Sequence, residues 1–135
     1  MSTTYDDIYS CFLDNCRVDN SCLPVTDKGK YAMIRNGCKI YNSKMEDSIV
    51  LKADDLTETI NVELDDARLL VLAYCLKLNY HENDLTEFTS VWSLYQKEIG
   101  FKDYSYQIKA KEANIERTEQ KITELVTNIV GFGIM

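Results

Sequence analysis

Glycine, proline and histidine are scarce in this chain, and their scarcity limits the sites that it can build. The 135 residues include five glycines, one proline and one histidine. Neither of the familiar phosphate-binding patterns, GxxxxGK[ST] and GxGxxG, is present, so nucleotide binding has no support. Any nucleophile–histidine pair would have to use His81, and Cys75, the nearest thiol, lies six positions before it. At about 100° per helical residue the two side chains would diverge, so we predict no catalytic residue.

An excess of positive charge and long apolar runs are also missing. The formal net charge is −7 and the pI is about 4.7, so nonspecific binding to nucleic acid, which requires clustered basic residues, has no overall support. No run approaches the roughly 18 apolar residues of a membrane span, and MSTTYDDIYS lacks the basic and apolar regions of a signal peptide. We therefore expect a protein made in a cytoplasm, with no membrane contact.

The cysteines do not form a recognisable metal site. Five are present, an odd number in a chain without an export signal, which favours reduced thiols over disulfides. The first three are spaced C-x4-C-x5-C, whereas zinc sites favour paired thiolates two to four residues apart. Paired acids such as Asp65 and Asp66 are explained by helix caps. We predict no metal and no cofactor, and we expect His81 to be exposed at the C-terminus of a helix, where positive charge is favoured.

The residues that are present predict one helical domain over residues 1–129. The composition is 45% hydrophobic and 27% charged, as in ordinary globular proteins. Apolar residues at three- and four-residue spacing predict a first helix over residues 5–16, capped by Thr3 or Thr4. Pro24 lies in a loop, and a second helix capped by Asp27 runs to Tyr41. An apolar tail with two glycines, residues 130–135, follows the domain as a flexible segment.

The middle of the chain has a different pattern. Around residues 48–64 apolar and polar residues alternate, which favours a short β-hairpin. A helical turn over residues 54–60 is the alternative, and the pattern does not decide between them.

The second half of the chain predicts further helices. Asp65 or Asp66 opens a third helix that is apolar nearly all round, and a polar connection follows at residues 81–84. A fourth helix runs to a stop at Gly100, and a long last helix, capped by Asp103, reaches Ile129. The predicted fold is therefore mainly α, a small bundle of about four to five helices with a long C-terminal helix and a hairpin near residues 48–64.

The last helix has too few apolar residues to be covered by its own chain alone. Isoleucines recur every seven residues, but the intervening positions Lys111 and Thr118 are polar. Aromatic side chains cluster at its start, and such residues are favoured at protein interfaces. We predict that it contacts other subunits, whereas the tail either docks on a partner or folds back on the core. The predicted contact residues are Phe101, Tyr104, Tyr106, Ile108, Ile115, Ile122, Ile129, Phe132, Ile134 and Met135.

The order of segments resembles the neck proteins of tailed bacteriophages, also called head–tail connector or adaptor proteins. A short N-terminal helix is followed by YAMIRNGCKIYN, ETINVELDDARLLVLAYCLKLNY and VWSLYQKEIGFKDYSYQ before the long helix. The resemblance implies a structural subunit of the virion neck that assembles as a ring, typically dodecameric, below the portal. Its partners would be further copies of the chain, the portal protein and a tail-side neck or tail completion protein. DNA would pass through the ring without specific binding, since an acidic lining repels phosphate.

Two other functions fit the same features. The chain could act as a monomeric acidic helical regulator that binds a host or phage protein. A small thiol enzyme using Cys75 and His81 is the third hypothesis, and substitution of either residue would test it.

Overall fold

Four helices and one small β-sheet make up the described part of the chain. The computed structural model describes residues 2–16, 23–45, 49–92 and 101–130. The helices are α1 (Tyr5–Asn15), α2 (Asp27–Met45), α3 (Asp66–Trp92) and α4 (Phe101–Val130). Strands β1 (Ala53–Asp54) and β2 (Thr59–Ile60) pair antiparallel. The predicted mainly helical fold with a long C-terminal helix is confirmed.

The structure also decides between the two interpretations of the middle segment. Ala53 pairs with Ile60 and Asp54 with Thr59, so residues 55–58 form the turn of a hairpin and not a helical turn. Glu58 has a φ of 55° in that turn, a left-handed conformation that brings the second strand back against the first. The hairpin prediction is confirmed.

Polar side chains cap the N-termini of two of the helices. The Thr4 hydroxyl accepts a hydrogen bond from the Asp7 N–H at 3.1 Å, and Asp65 Oδ1 accepts one from the Arg68 N–H at 2.8 Å. Each acceptor satisfies an amide that has no partner within the first helical turn. The predicted caps at the starts of α1 and α3 are confirmed.

Two other predicted caps are wrong. The Thr26 hydroxyl accepts from the Gly29 N–H at 3.1 Å, so Thr26 caps α2 and Asp27 is its first helical residue. Helix α4 begins at Phe101, which places Asp103 inside the first turn. Both aspartates still lie where the helix dipole favours negative charge.

Helix α3 is continuous through the predicted polar connection. It has 27 residues and includes residues 81–84, so the break predicted there is wrong. The polarity of these residues suggested a loop, but none of them is glycine or proline, and polar side chains continue a helix when they face solvent or a cleft. The predicted stop at Gly100 lies outside the described residues.

Helix α3 lies at the centre of the fold. It packs against α1, α2 and α4, and its residues 71–73, 75 and 76 are fully buried. Gly37 on α2 lets the backbone of that helix approach Leu76 on α3 closely. Ile8 and Phe12 of α1 complete this side of the core. The domain therefore has one hydrophobic core, organised around α3.

The N-terminal segment is fixed by residues far along the chain. The Thr3 N–H donates to Val62 O at 3.0 Å, and the Thr3 carbonyl and hydroxyl accept from Ile60 N and Leu64 N at 2.9 and 2.8 Å. Thr3 is almost completely buried as a result. These bonds attach the start of the chain to the segment that follows the hairpin.

A second contact joins α1, α2 and the hairpin turn. The Tyr5 hydroxyl donates to Asp55 Oδ1 at 2.7 Å, and the Arg35 guanidinium donates to the other carboxylate oxygen. Burial, followed by the bond to Asp55, raises the pKa of Tyr5. The hydroxyl therefore remains a donor throughout the physiological pH range.

Candidate interaction site on the arm of helices α3 and α4

The ends of α3 and α4 form a two-helix extension of the domain. We call residues 82–92 of α3 and 101–115 of α4 the arm. Phe88 contacts Tyr104, and Asp84 contacts Lys111, so the two helices run antiparallel. No side chain described within the arm is buried, whereas His81 and Thr118, just beyond it, are buried. Helix α2 adjoins the arm near Asn83, Asp84 and Glu87. Elsewhere, among the described residues, the contact between the two helices of the arm stays partly open to solvent.

A compact cluster holds the arm together. The rings of Phe88 and Tyr104 stack with centroids 5.4 Å apart and planes 21° from parallel. Lys111 Nζ donates to Asp84 Oδ2 at 2.8 Å and lies 5.2 Å from the centroid of the Phe88 ring. The Lys111 and Asp84 side chains are only 20% and 25% exposed, so their attraction is less screened than that of a surface pair. The cluster fixes the register of the two helices.

An open groove with acidic edges follows the base of the arm. Leu85 of α3 and Ile115 of α4 are its apolar lining, and Glu112, Glu116 and Glu119 line the same groove. The three carboxylates recur at four- and three-residue spacing, so they lie on one side of α4. Glu119 Oε2 also pairs with Lys44 Nζ of α2 at 3.5 Å, so Glu112 and Glu116 contribute most of the negative charge on this side of the helix. Negative charge here favours basic groups and repels phosphate.

The predicted contact residues of α4 differ in how much surface they leave exposed. Ile122 is fully buried in the core of its own chain and has no surface to offer a partner, so its assignment as a contact is wrong. Ile115 and Ile129 are partly buried against the core. Half-buried positions in the arm are Tyr104 and Ile108. The side chains of Phe101, Phe132, Ile134 and Met135 lie outside the described residues.

Tyr106 is the most exposed of the predicted contacts whose side chains the structure describes. Its side chain is 59% exposed, although it lies on the same helix as the half-buried Tyr104 and Ile108. Large exposed aromatic side chains that carry a polar tip are favoured in interfaces. The predicted contacts that retain accessible surface therefore concentrate in the arm.

The residues of the thiol-enzyme hypothesis are both buried. Cys75 is fully buried, and burial raises its pKa, which disfavours the nucleophilic thiolate. Burial likewise raises the pKa values of Cys16 and Cys38 to about 12. His81 is 8% exposed, and burial lowers its pKa. The expectation of an exposed histidine at a helix end is wrong, because α3 continues past His81.

Two further searches cover the described residues only. Within residues 2–16, 23–45, 49–92 and 101–130, no group of three or more His, Cys, Asp or Glu side chains is placed to hold a metal ion. Among the four helices described, none combines the length and apolarity that crossing a membrane requires.

Comparison with known proteins identifies a phage family. Residues 1–130 match the model of the YomZ prophage protein family. The chain belongs to this family. One YomZ relative, named SPbeta prophage-derived uncharacterized protein YomZ, comes from Bacillus subtilis (strain 168). It is 32% identical over 126 residues, which cover 93% of this chain and 95% of the relative. No solved structure matches the chain. Membership in the YomZ family confirms the phage origin that the resemblance implied.

Sequence reasoning missed the α3 half of the arm in this YomZ family member. Phe88 and Leu85 were assigned to a separate fourth helix, and the Asp84–Lys111 ion pair was not foreseen. Asp84, Phe88 and Leu85 are spaced so that all three face α4 along one uninterrupted helix. The absence of glycine and proline between residues 78 and 92 was the available signal.

Proposed function

We propose that the chain is a structural virion protein of a tailed phage, a head–tail connector subunit that forms a ring below the portal. In this role it extends the DNA channel and joins the head to the tail. The observation that carries the proposal is the arm, a pair of helices whose contact is only partly covered by the residues that the structure describes. Membership in a prophage family supports a phage context.

A ring would supply the cover that the arm lacks. Tyr104, Tyr106 and Ile108 present aromatic and apolar surface near the start of α4. A neighbouring copy that packs on this surface removes it from water, at about 25 cal/mol for each Å² of apolar area buried. Repeating one such head-to-tail contact around an axis closes a ring. We assign the arm to contacts between neighbouring subunits, and the tail residues 130–135 to the portal or the tail-side protein.

The acidic side of α4 fits a channel lining. Glu112, Glu116 and Glu119 are exposed, and in the ring we place them toward the lumen. Carboxylates repel the DNA backbone, so DNA slides past without being retained. A ring structure with this side of α4 turned away from the lumen would remove the channel assignment.

We also propose that the protein performs no catalysis. The buried, high-pKa thiol of Cys75 and the buried His81 support this view, because a nucleophile must ionise and reach its substrate. The variants Cys75→Ser and His81→Ala should leave particle assembly intact as long as they fold.

Electron microscopy of the purified chain mixed with the phage portal protein tests the ring. We expect a ring of chain density on the tail-facing side of the portal. Ile108→Asp and Tyr106→Asp should abolish that density, because each places a carboxylate in the subunit contact. Leu56→Asp is the matched control: Leu56 is 96% exposed in the hairpin turn, away from the arm, and its replacement should leave the ring intact.

Light scattering of the same mixture distinguishes the ring from the monomeric regulator. A stable complex with one copy of the chain per partner molecule, measured by light scattering, would favour the regulator and reject the ring. A chain that stays monomeric on its own is compatible with a connector that assembles only on the portal. Deleting residues 130–135 should reduce incorporation into particles, and unchanged incorporation would reject the tail as an anchor.

A further inference from the structure

The only histidine of the chain is buried at the base of the arm. His81 lies on α3 just before the arm begins and is 8% exposed, and Thr118 is buried on α4 just after the arm ends. The Tyr80 ring meets the imidazole edge-on, with the ring centroids 5.4 Å apart. Within the arm itself, no described side chain is buried. The base is therefore the last place along the two helices where described side chains are withdrawn from water.

The imidazole lies on the side of α3 that contacts α4. His81, Asp84 and Phe88 follow each other at three- and four-residue spacing, so they share one side of the helix. Asp84 accepts a hydrogen bond from Lys111 of α4 at 2.8 Å. Phe88 stacks on Tyr104 of the same helix. His81 is thus placed at the contact between α3 and α4, one turn before the cluster that holds the arm together.

The charged groups around His81 are mostly positive. Among the described residues, the cations that act on it are Lys77 of α3 and Lys111 and Arg117 of α4. Asp84 is the one carboxylate among these groups, and Lys111 already donates to it. Burial, followed by these cations, opposes a proton on the imidazole. The contact between the helices therefore accommodates the neutral ring better than the charged one.

We propose that His81 is a pH-sensitive switch for the arm: when its imidazole takes up a proton, the first half of α4 separates from α3. In the closed arm the charged ring is confined beside three cations, whereas in the open arm it returns to water. Histidine is the side chain whose unperturbed pKa gives a change of charge between pH 5 and 8. Burial lowers the pKa of His81 in the closed arm. Closure is therefore favoured above the open-state pKa of about 6.5 and is lost as pH falls through the closed-state value.

The separation is confined to the arm. Ile122 is fully buried, and Glu119 pairs with Lys44 of α2, so the second half of α4 stays attached to the core. Phe88 and Tyr104, which stack on each other in the arm, are only half-buried and hold it less firmly. Opening displaces the aromatic surface that we assign to subunit contacts. That consequence rests on the proposed function, whereas the opening itself is measured on the isolated chain.

Amide hydrogen exchange of the full-length chain labelled with ¹⁵N tests the proposal. Protection factors of residues 104–112 in the arm and 71–76 in the core are measured at pH 7 and pH 5, in low concentrations of urea. One proton changes the ratio of open to closed arm by at most tenfold per pH unit, so we expect arm protection to fall about tenfold. Arm amides should respond little to urea, because opening exposes little surface, whereas core amides should respond strongly. Arm amides that share the urea dependence of the core, or keep equal protection at both pH values, would overturn the proposal.

Variants assign the effect to His81 and its neighbours. His81→Gln is neutral at both pH values, so its arm protection should not change between them; a fall equal to that of the wild-type chain refutes the switch. Arg117→Gln removes one of the cations and should move the imidazole titration, followed by proton NMR, to higher pH. Lys109→Gln is the matched control, because Lys109 is an exposed cation of α4 that is not among the groups acting on His81. Equal shifts in the two variants would reject the charge cluster as the cause.

Discussion

Replacing Gly37 by alanine tests how closely α2 and α3 approach each other. Gly37 lies inside α2 and is buried. A Cβ added there would overlap with Cδ1 of Leu76 and lie 3.2 Å from its Cγ. Leu76 is fully buried, so its side chain has little room to move away. The substitution should therefore strain the centre of the core.

Two opposing effects set the size of the change. Alanine is favoured over glycine inside a helix by about 1 kcal/mol. Forcing an extra methyl group into a packed core costs about 1–3 kcal/mol. Because Leu76 is held on all sides, we expect the second effect to dominate, with a net loss of about 1 kcal/mol. For a domain of this size, that lowers Tm by roughly 3–5 °C.

A double-mutant cycle with Leu76→Ala isolates the contact. Leu76→Ala alone should reduce the free energy of unfolding by about 2–5 kcal/mol, because it leaves a cavity. In that background Gly37→Ala meets no obstacle and should stabilise by about 1 kcal/mol. Urea unfolding of the four proteins, followed by circular dichroism, gives the effect of Gly37→Ala on the free energy of unfolding with and without Leu76. If Gly37→Ala stabilises the wild-type chain as much as the Leu76→Ala variant, the close approach of the helices is refuted.

Three further predictions concern titration, capping and thiol burial. Burial lowers the pKa of the only histidine, His81, so its contribution to stability is present above the unfolded pKa of about 6.5 and is lost as pH falls through the folded value. The urea midpoint should drop between pH 7 and 5, and an equal drop in His81→Gln would contradict this. Thr4→Ala should cost about 1 kcal/mol of unfolding free energy, measured by urea unfolding, because the amide that the Thr4 hydroxyl binds loses its partner; no change would reject Thr4 as the cap. Cys16 and Cys38, whose pKa values burial raises to about 12, should resist iodoacetamide at pH 8 until urea unfolds the chain, as read by peptide mass spectrometry; rapid labelling of the native protein would show that they are accessible.

The fold was largely predictable because most of its elements follow one periodic pattern. In α1 the three- and four-residue spacing of Tyr5, Ile8 and Phe12 indicates one buried side, and all three residues are buried. The alternation near residues 48–64 likewise indicated the hairpin. Such patterns record which side of an element is covered, and that information is local in the sequence.

The continuity of α3 and the burial of Ile122 were not predictable in the same way. The polar residues 81–84 resemble a loop when counted by polarity, because the sequence does not show that His81 turns inward while Glu82 faces solvent. The burial of Ile122 was not predictable for the same reason. Its seven-residue repeat indicated a contact, but only the path of α4 against α3 decides whether that contact lies within the chain.

The central position of α3 has a consequence for the order in which the chain folds during synthesis. Helices α1 and α2 bury their apolar sides mainly against α3, and Thr3 bonds to residues 60, 62 and 64. Before α3 leaves the ribosome, α1 and α2 have no surface to pack against. Short isolated helices are barely stable in water. The early segments must therefore wait until α3, which ends at Trp92, has been translated. Their apolar sides are open to chaperones until then.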